Sequence, residues 1–217
     1  MRRLNKSKAP WIPLLLACLC QARAETLTVG SFSSEGLNNW KSHSFHGETS
    51  YRTVIRDGRQ VIRAESSGSA SVLFRELRID LEKTPYLNWS WRVKNILPGL
   101  DERTKPGDDY PARIYIVTGD GLLPWQSKAV NYVWAGTLPK ETHWLSAFTD
   151  SSLMIAVRSG DSEVGAWVRE KRNVKADFQQ FLGRPVRYIN MIALMSDTDN
   201  SGAKVSADYG DIYFSSN

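Results

Sequence analysis

Asp197-Thr198-Asp199-Asn200-Ser201-Gly202 sets oxygen-bearing side chains at alternate positions, with a glycine where a compact loop must turn sharply, and Asp208 stands at the twelfth position. Oxygen ligands at that spacing suit a hard cation such as Ca²⁺. The expected ligands are Asp197, Asp199, Ser201 and Asp208. An EF-hand would add flanking helices and a closing bidentate Glu, whereas strand patterns flank this loop and its last acid is Asp. The competing reading is a polar turn whose Asp and Asn side chains bond their own backbone.

A second cluster, Asp108, Asp109 and Arg113, lies in a loop bounded by Gly107 and Pro111 that leads into a strand. Carboxylates beside a guanidinium can bind sugar hydroxyls, or hold the loop itself through charge-assisted hydrogen bonds. Aromatic faces are the third chemical resource, since an exposed indole can stack on the apolar face of a pyranose ring. Trp125, in Gly121-Leu122-Leu123-Pro124-Trp125-Gln126, has little local reason to be buried and is the expected ligand contact. Trp89 and Trp91 share a face with Leu87 and Val93 and belong to the core. Opposite them, Asn88, Ser90 and Arg92 are expected to join Arg113, Tyr115, Arg158 and Arg169 in a polar groove able to bind hydroxyls or carboxylates. A solvated outer sheet face accounts for the same residues. Signals for catalysis are sparse: His43 and His46 lack an HExxH setting, and no Gly-x-Ser-x-Gly is present.

The elements that must carry these groups are mostly strands. Leu87, Trp89, Trp91 and Val93 alternate with Asn88, Ser90 and Arg92, the period of a strand with one buried face. Similar runs are Leu27 to Phe32, Tyr51 to Ile55, Gln60 to Glu65, Ser71 to Glu76, Ala112 to Thr118, Ala129 to Ala135, Leu153 to Arg158, Ala166 to Val174, Tyr188 to Met195 and Asp211 to Phe214. Asp57-Gly58 between two such runs signals a hairpin. Val174 to Leu182 instead carries Phe178, Phe181 and Leu182 at helical spacing and stops at Gly183 with Pro185 beyond, which predicts one short helix. Many strands, one helix and no repeating βαβ unit predict an all-β fold, a two-sheet antiparallel β-sandwich of jelly-roll type.

Two groups of residues resemble known families. Gly36-Leu37-Asn38-Asn39-Trp40, Phe45-His46-Gly47-Glu48-Thr49 and Leu87-Asn88-Trp89-Ser90-Trp91-Arg92-Val93 look like bacterial β-sandwich modules of the carbohydrate-binding type. Gly107-Asp108-Asp109-Tyr110-Pro111-Ala112-Arg113-Ile114-Tyr115-Ile116, Asn131-Tyr132-Val133-Trp134, the Met195 to Gly202 run and Tyr209-Gly210-Asp211-Ile212 resemble the domain of unknown function 3047. The resemblance implies an exported β-sandwich and supplies no activity, so function must be argued from sites.

Residues 1–24 read as a secretory leader: Arg2, Arg3, Lys6 and Lys8, an apolar run from Ala9 to Cys20, then Ala22-Arg23-Ala24 before the expected cut. Pro10 and Pro13 interrupt that run, and it is about half the length of a membrane span. An alternative cut follows Leu15-Leu16-Ala17, which would leave Cys18 as a lipid-bearing N-terminus. The leader holds both cysteines and Arg2, Arg3, Lys6, Lys8 and Arg23 but no acid, so residues 25–217 form one thiol-free domain with 23 basic residues against 23 acidic ones. A neutral chain gives no electrostatic reason to expect nucleic acid as a partner.

The leading expectation is an exported, periplasmic or secreted, non-catalytic binding module for a glycan or another polar cell-envelope component. The alternatives are a glycoside hydrolase or lyase acting through Asp108, Asp109 or Asp197, and an envelope structural or protein-interaction domain. Intact-mass analysis of the envelope fraction is expected to return a chain beginning at Glu25. A diacylated chain beginning at Cys18 would move the cut to the alternative site.

Overall fold

The computed structural model describes residues 24–119 and 127–217. Its first half runs β1 (Thr26–Gly30), α1 (Phe32–Glu35), β2 (Lys41–His46), β3 (Ser50–Arg56), β4 (Arg59–Ser67), β5 (Ala70–Asp80), β6 (Tyr86–Val93) and a 3₁₀ turn at Lys105–Gly107. The second half runs β7 (Arg113–Thr118), β8 (Lys128–Ala135), β9 (His143–Ser146), β10 (Thr149–Ser159), β11 (Val168–Asn173), α2 (Val174–Leu182), β12 (Tyr188–Met195), β13 (Lys204–Tyr209) and β14 (Ile212–Ser215). Among the described residues no helix is long and apolar enough to cross a membrane.

The strands form two seven-stranded sheets packed face to face, a jelly-roll sandwich. The first is built around β6. One edge of β6 pairs with β11 throughout Tyr86 to Trp91, and the other pairs with β14 at Tyr86 to Asn88 and with β13 at Trp91 to Val93. Thus β13 and β14 lie in line along β6, broken at Gly210-Asp211; β4 and β3 continue the sheet from β13, and β1 continues it from β14. The second sheet runs β2-β5-β12-β7-β8-β10-β9. One pair in it, β8 with β10, is parallel, and the chain makes the necessary crossover by way of β9, which then pairs antiparallel with β10.

The alternation of β6 is realised as its sequence requires. Leu87, Trp89, Trp91 and Val93 are buried, while Asn88, Ser90 and Arg92 face outward and are partly exposed. Between the sheets Trp89 stacks on Tyr132 with ring centres 5.5 Å apart, and Trp91 leans on Trp134 at 6.0 Å. The two indoles of β6 meet edge to face at 5.4 Å, the arrangement that brings a positive ring edge to a negative ring face. Trp91 Nε1 donates to Glu170 on β11 at 3.3 Å, which satisfies a polar group inside the core.

The second sheet is also covered on its outer face over β8 and β10. Tyr110, Val133, Ala135, Met154 and Ala156 form a separate buried cluster there, roofed by the connection between β6 and β7. This explains the continuous burial of Val130 to Ala135, where one-sided burial would have spared alternate residues. Glu102 pins the roof by accepting from the backbone N–H groups of Gly136 and Leu138. Gly107 is required beneath it, because a Cβ there would lie 2.2 Å from the Asp101 carbonyl oxygen.

The helix α2 occupies the expected residues. Asn173 caps its start by accepting from Ala176 N–H at 3.0 Å, and Gly183 closes it with φ of 67°. α1 was not expected: the pattern from Leu27 to Phe32 is cut short, since Phe32 turns into a helical turn and into the core. β2 and β9 were also unforeseen, the first being exposed throughout and the second only four residues long, and so was β13, although Val205, Ala207 and Tyr209 alternate on its buried side.

Because the core centres on β6, Trp91→Ala is expected to lower the unfolding free energy by about 3–5 kcal/mol in urea titration. Phe45→Ala, at a side chain 65% exposed, should change it by about 0.5 kcal/mol or less.

Candidate functional site

Asp108, Asp109, Asp197 and Asp199 converge at one end of the second sheet. Arg113 opens β7 on the outer face, paired with Met195 of β12, and its guanidinium lies between the rings of Tyr110 (5.2 Å) and Tyr115 (4.9 Å). Its Nη2 donates to Asp197 Oδ2 at 2.6 Å, and its Nη1 stands 3.9 Å from Asp108. Asp109 braces the neighbouring turn: Oδ1 accepts from Asn200 N–H and Nδ2, and Oδ2 accepts from Ser201 N–H at 2.6 Å. Behind the turn, buried hydroxyls of Thr49, Ser66, Ser69 and Thr198 bond one another and the Ser196 carbonyl, fixing the backbone that carries Asp197 and Asp199. Carboxylate oxygens of Asp109, Asp197 and Asp199 lie within 4.8 Å of one another.

Burial pushes the Asp197 carboxyl well above the usual carboxylate range; Arg113 pulls it back, while Asp108, Asp109 and Asp199 add to the rise. Asp108 is raised for the same first reason, against the opposing pull of Arg113 and the Tyr110 hydroxyl. Asp108, Asp109, Arg113 and Asp197 are all buried, so the cluster has no broad exposed face of its own.

A groove of about 630 Å³ lies elsewhere, on the outer face of the first sheet. Asn88 and Ser90 of β6 form its floor beside Gly210, whose missing side chain matters because a Cβ there would stand 2.3 Å from Ser90 Oγ. One wall is Trp167 with Arg169 and Lys171 of β11; Arg169 pairs with Ser90 across the ladder and so shares its face. The facing wall is the tip of the β3–β4 hairpin, Arg56 to Arg59, which leans over β6 until Asp57 accepts from Trp167 Nε1 at 2.9 Å and from Arg92 at 3.2 Å. Arg92 also lies over the Trp167 ring at 5.4 Å. Tyr213 and Asp211 close the far end, where Asp211 accepts from Ser33 N–H and Oγ.

Residues 38–213 match the family model described as Protein of unknown function (DUF3047). The chain belongs to this family. No curated protein sequence matches this DUF3047 chain significantly. Solved structures similar to it include the family 11 carbohydrate-binding module from Clostridium thermocellum in complex with a beta-1,3-1,4-mixed-linked tetrasaccharide. That pair shares 10% identity and a TM-score of 0.48, covering 87% of this chain and 94% of the module. The family 30 module of a cellulosomal cellulase from the same organism gives 10% and 0.48, with coverage of 88% and 96%. A thermostable cellulase derived from the Cel12A enzyme of Rhodothermus marinus gives 11% and 0.48, with coverage of 88% and 99%.

The DUF3047 fold redistributes the expected site residues. Asp208 does not join the acidic turn, because residues 204–209 are the strand β13 rather than loop; both its oxygens are taken by Arg63 at 2.7 and 2.8 Å. Ser201 contributes a backbone donor to Asp109, while its hydroxyl accepts from Ala203 N–H. The single polar groove expected from Arg92, Arg113, Tyr115, Arg158 and Arg169 is divided between two sheets. Arg169 lines the groove and Arg92 stands beside it, bonded to Asp57 and Asp208; Arg113 and Tyr115 lie on the far side of the sandwich, and Arg158 of β10 bonds Glu170 and Glu163. Trp125 lies outside the described residues. The indole that the groove does present, Trp167, was legible: Val168 is core, so parity puts Trp167, Arg169 and Lys171 on the opposite face.

The assignment of Asp208 to an ion pair has a measurable consequence. Asp208→Ala strands the buried Arg63 guanidinium and is expected to destabilise the fold by about 3–5 kcal/mol. Arg63→Met with Asp208→Leu should recover most of that loss in the same unfolding assay.

Proposed function

We propose that this protein is an exported, non-catalytic binding module that holds a glycan bearing acidic groups in the groove of its first sheet. The observation that carries this reading is the pairing of ring faces with unspent cations. Trp167 and Tyr213 offer aromatic surface along the groove, the type of surface that takes the apolar side of a sugar ring. Arg59 and Arg169 project into the same space, and neither makes an ion pair among the described residues. A guanidinium presents a planar fork that bonds a carboxylate through two parallel donors, so uronate-type sugars suit these positions better than neutral ones. Asn88, Ser90 and Lys171 supply further polar groups for hydroxyls.

The absence of chemistry from this reading rests on the commitments of the acids that line the groove. Asp57 is held by Trp167 and Arg92, Asp211 by Ser33, and Glu170 points inward to Arg158 and Trp91. General acid and base catalysis needs carboxyls free to exchange a proton with the substrate. The expectation of export comes from the basic, apolar and small-residue pattern of residues 1–24.

Calorimetric titration with uronate-rich and neutral oligosaccharides tests the proposal. Uronate oligomers are expected to bind more tightly, Trp167→Ala to weaken them about ten-fold, and joint replacement of Arg59 and Arg169 by Ala to erase the preference over neutral sugars. Binding untouched by all three substitutions, or release of shortened oligosaccharides on incubation, would overturn it.

A further inference from the structure

The acidic end of the second sheet calls for an occupant of a different kind, and the groove plays no part in it. We propose that Asp109, Asp197 and Asp199 bind one divalent cation of the Ca²⁺ class. One carboxylate oxygen from each lies within 4.8 Å of the other two. Ca²⁺ holds oxygen ligands at about 2.3–2.6 Å, so ligands on opposite sides of one ion stand about 5 Å apart. Three oxygens at the observed spacing therefore fit around a single ion.

A second observation points to the same place. Asp197 is 1% exposed, and its Oδ1 accepts no hydrogen bond, although Oδ2 is bonded to Arg113. A carboxylate oxygen that has lost its water without gaining a donor is costly, and a metal ion is one of the few partners that removes the cost. Asp109 is placed for the same purpose: Asn200 supplies two donors to Oδ1, whereas Oδ2 takes one from Ser201 and keeps a lone pair free. Those donors fix the carboxylate as outer hydrogen bonds fix metal ligands elsewhere. Asp199 adjoins the turn's surface, where water can complete the shell.

Charge balance supports the reading. Asp108, Asp109, Asp197 and Asp199 gather around one guanidinium, that of Arg113. Four acids against one base leave three formal negative charges uncompensated, and a divalent ion would offset two of them. The donor set is all oxygen, which favours Ca²⁺ or Mg²⁺ over thiophilic metals, and the irregular, partly hydrated arrangement suits the more adaptable Ca²⁺. The ion would tie the segment before β7 to the turn between β12 and β13.

The test is a melt of the chain from Glu25 in chelator and in excess Ca²⁺, with Tb³⁺ luminescence sensitised through Tyr110 and Tyr115 as a second readout. At a free Ca²⁺ concentration one hundred times Kd, the melting temperature should rise by about 5–10 °C. Asp199→Ala removes a ligand oxygen at the surface, so it should leave the chelated melt in place while cutting Ca²⁺ affinity at least ten-fold and weakening Tb³⁺ emission to match. Coincident melts in chelator and Ca²⁺ together with no saturable emission would overturn the proposal. So would a Ca²⁺ response that survives intact in Asp199→Ala, which has no side-chain oxygen left to ligate, since the ion would then sit elsewhere.

Discussion

Strand β6 must satisfy two environments at once, and the rest of the molecule follows from how it does so. Its odd-numbered positions drive Leu87, Trp89, Trp91 and Val93 into the space between the sheets, while Asn88, Ser90 and Arg92 are left on the outer face. A slip of one residue would exchange the two sets, exposing two indoles and burying a guanidinium. The stacking of Trp89 on Tyr132 and the contact of Trp91 with Trp134 lock the register from within. Since β11, β13 and β14 all hydrogen-bond to β6, the same register decides which side chains face the groove.

Charge is buried in two different ways outside the core. On the first sheet Asp208 accepts from Arg63 through both oxygens and from Arg92 through one, so a fully buried acid is matched by more than one base. At the end of the second sheet the ratio reverses, and Arg113 alone faces Asp108 and Asp197 with Asp109 and Asp199 close by. The first arrangement is complete within the chain. The second leaves an oxygen of Asp197 without a donor, and buried groups of that sort are uncommon enough in folded proteins to need a reason.

The sandwich was legible because its strands obey a two-residue period, and α2 because the spacing of Phe178, Phe181 and Leu182 and the stop at Gly183 give face and end within ten residues. The convergence of Asp108, Asp109 and Asp197 was only partly so: each was visible alone, but their meeting depends on the Arg113–Met195 pairing between distant strands. Asp208 was misplaced for a local reason. Lys204 to Tyr209 has buried residues at Val205, Ala207, Asp208 and Tyr209, and a buried Asp in a strand looks like a loop acid until its partner Arg63 is seen. Likewise, nothing near Asp57 in sequence announces that the hairpin tip leans across β6 to Trp167, whereas the parity of Trp167 itself was available.

The pairing of β1 with β14 bears on the order in which the fold can assemble. Thr26 lies beside Ser215, Leu27 beside Phe214, and Glu25 and Ser216 bond each other, so the first strand finds its partner only in the last. A chain delivered from its N-terminus must keep Thr26–Gly30 unpaired while everything between is added. The first sheet is delayed in the same way, since β4 and β6 both await β13. Such long loop closures slow folding, because chain entropy is lost before the contacts that reward it can form. Closure of the sandwich is therefore a late event, whereas the β3–β4 hairpin, closed by the turn at Asp57-Gly58, can pair as soon as its residues are present.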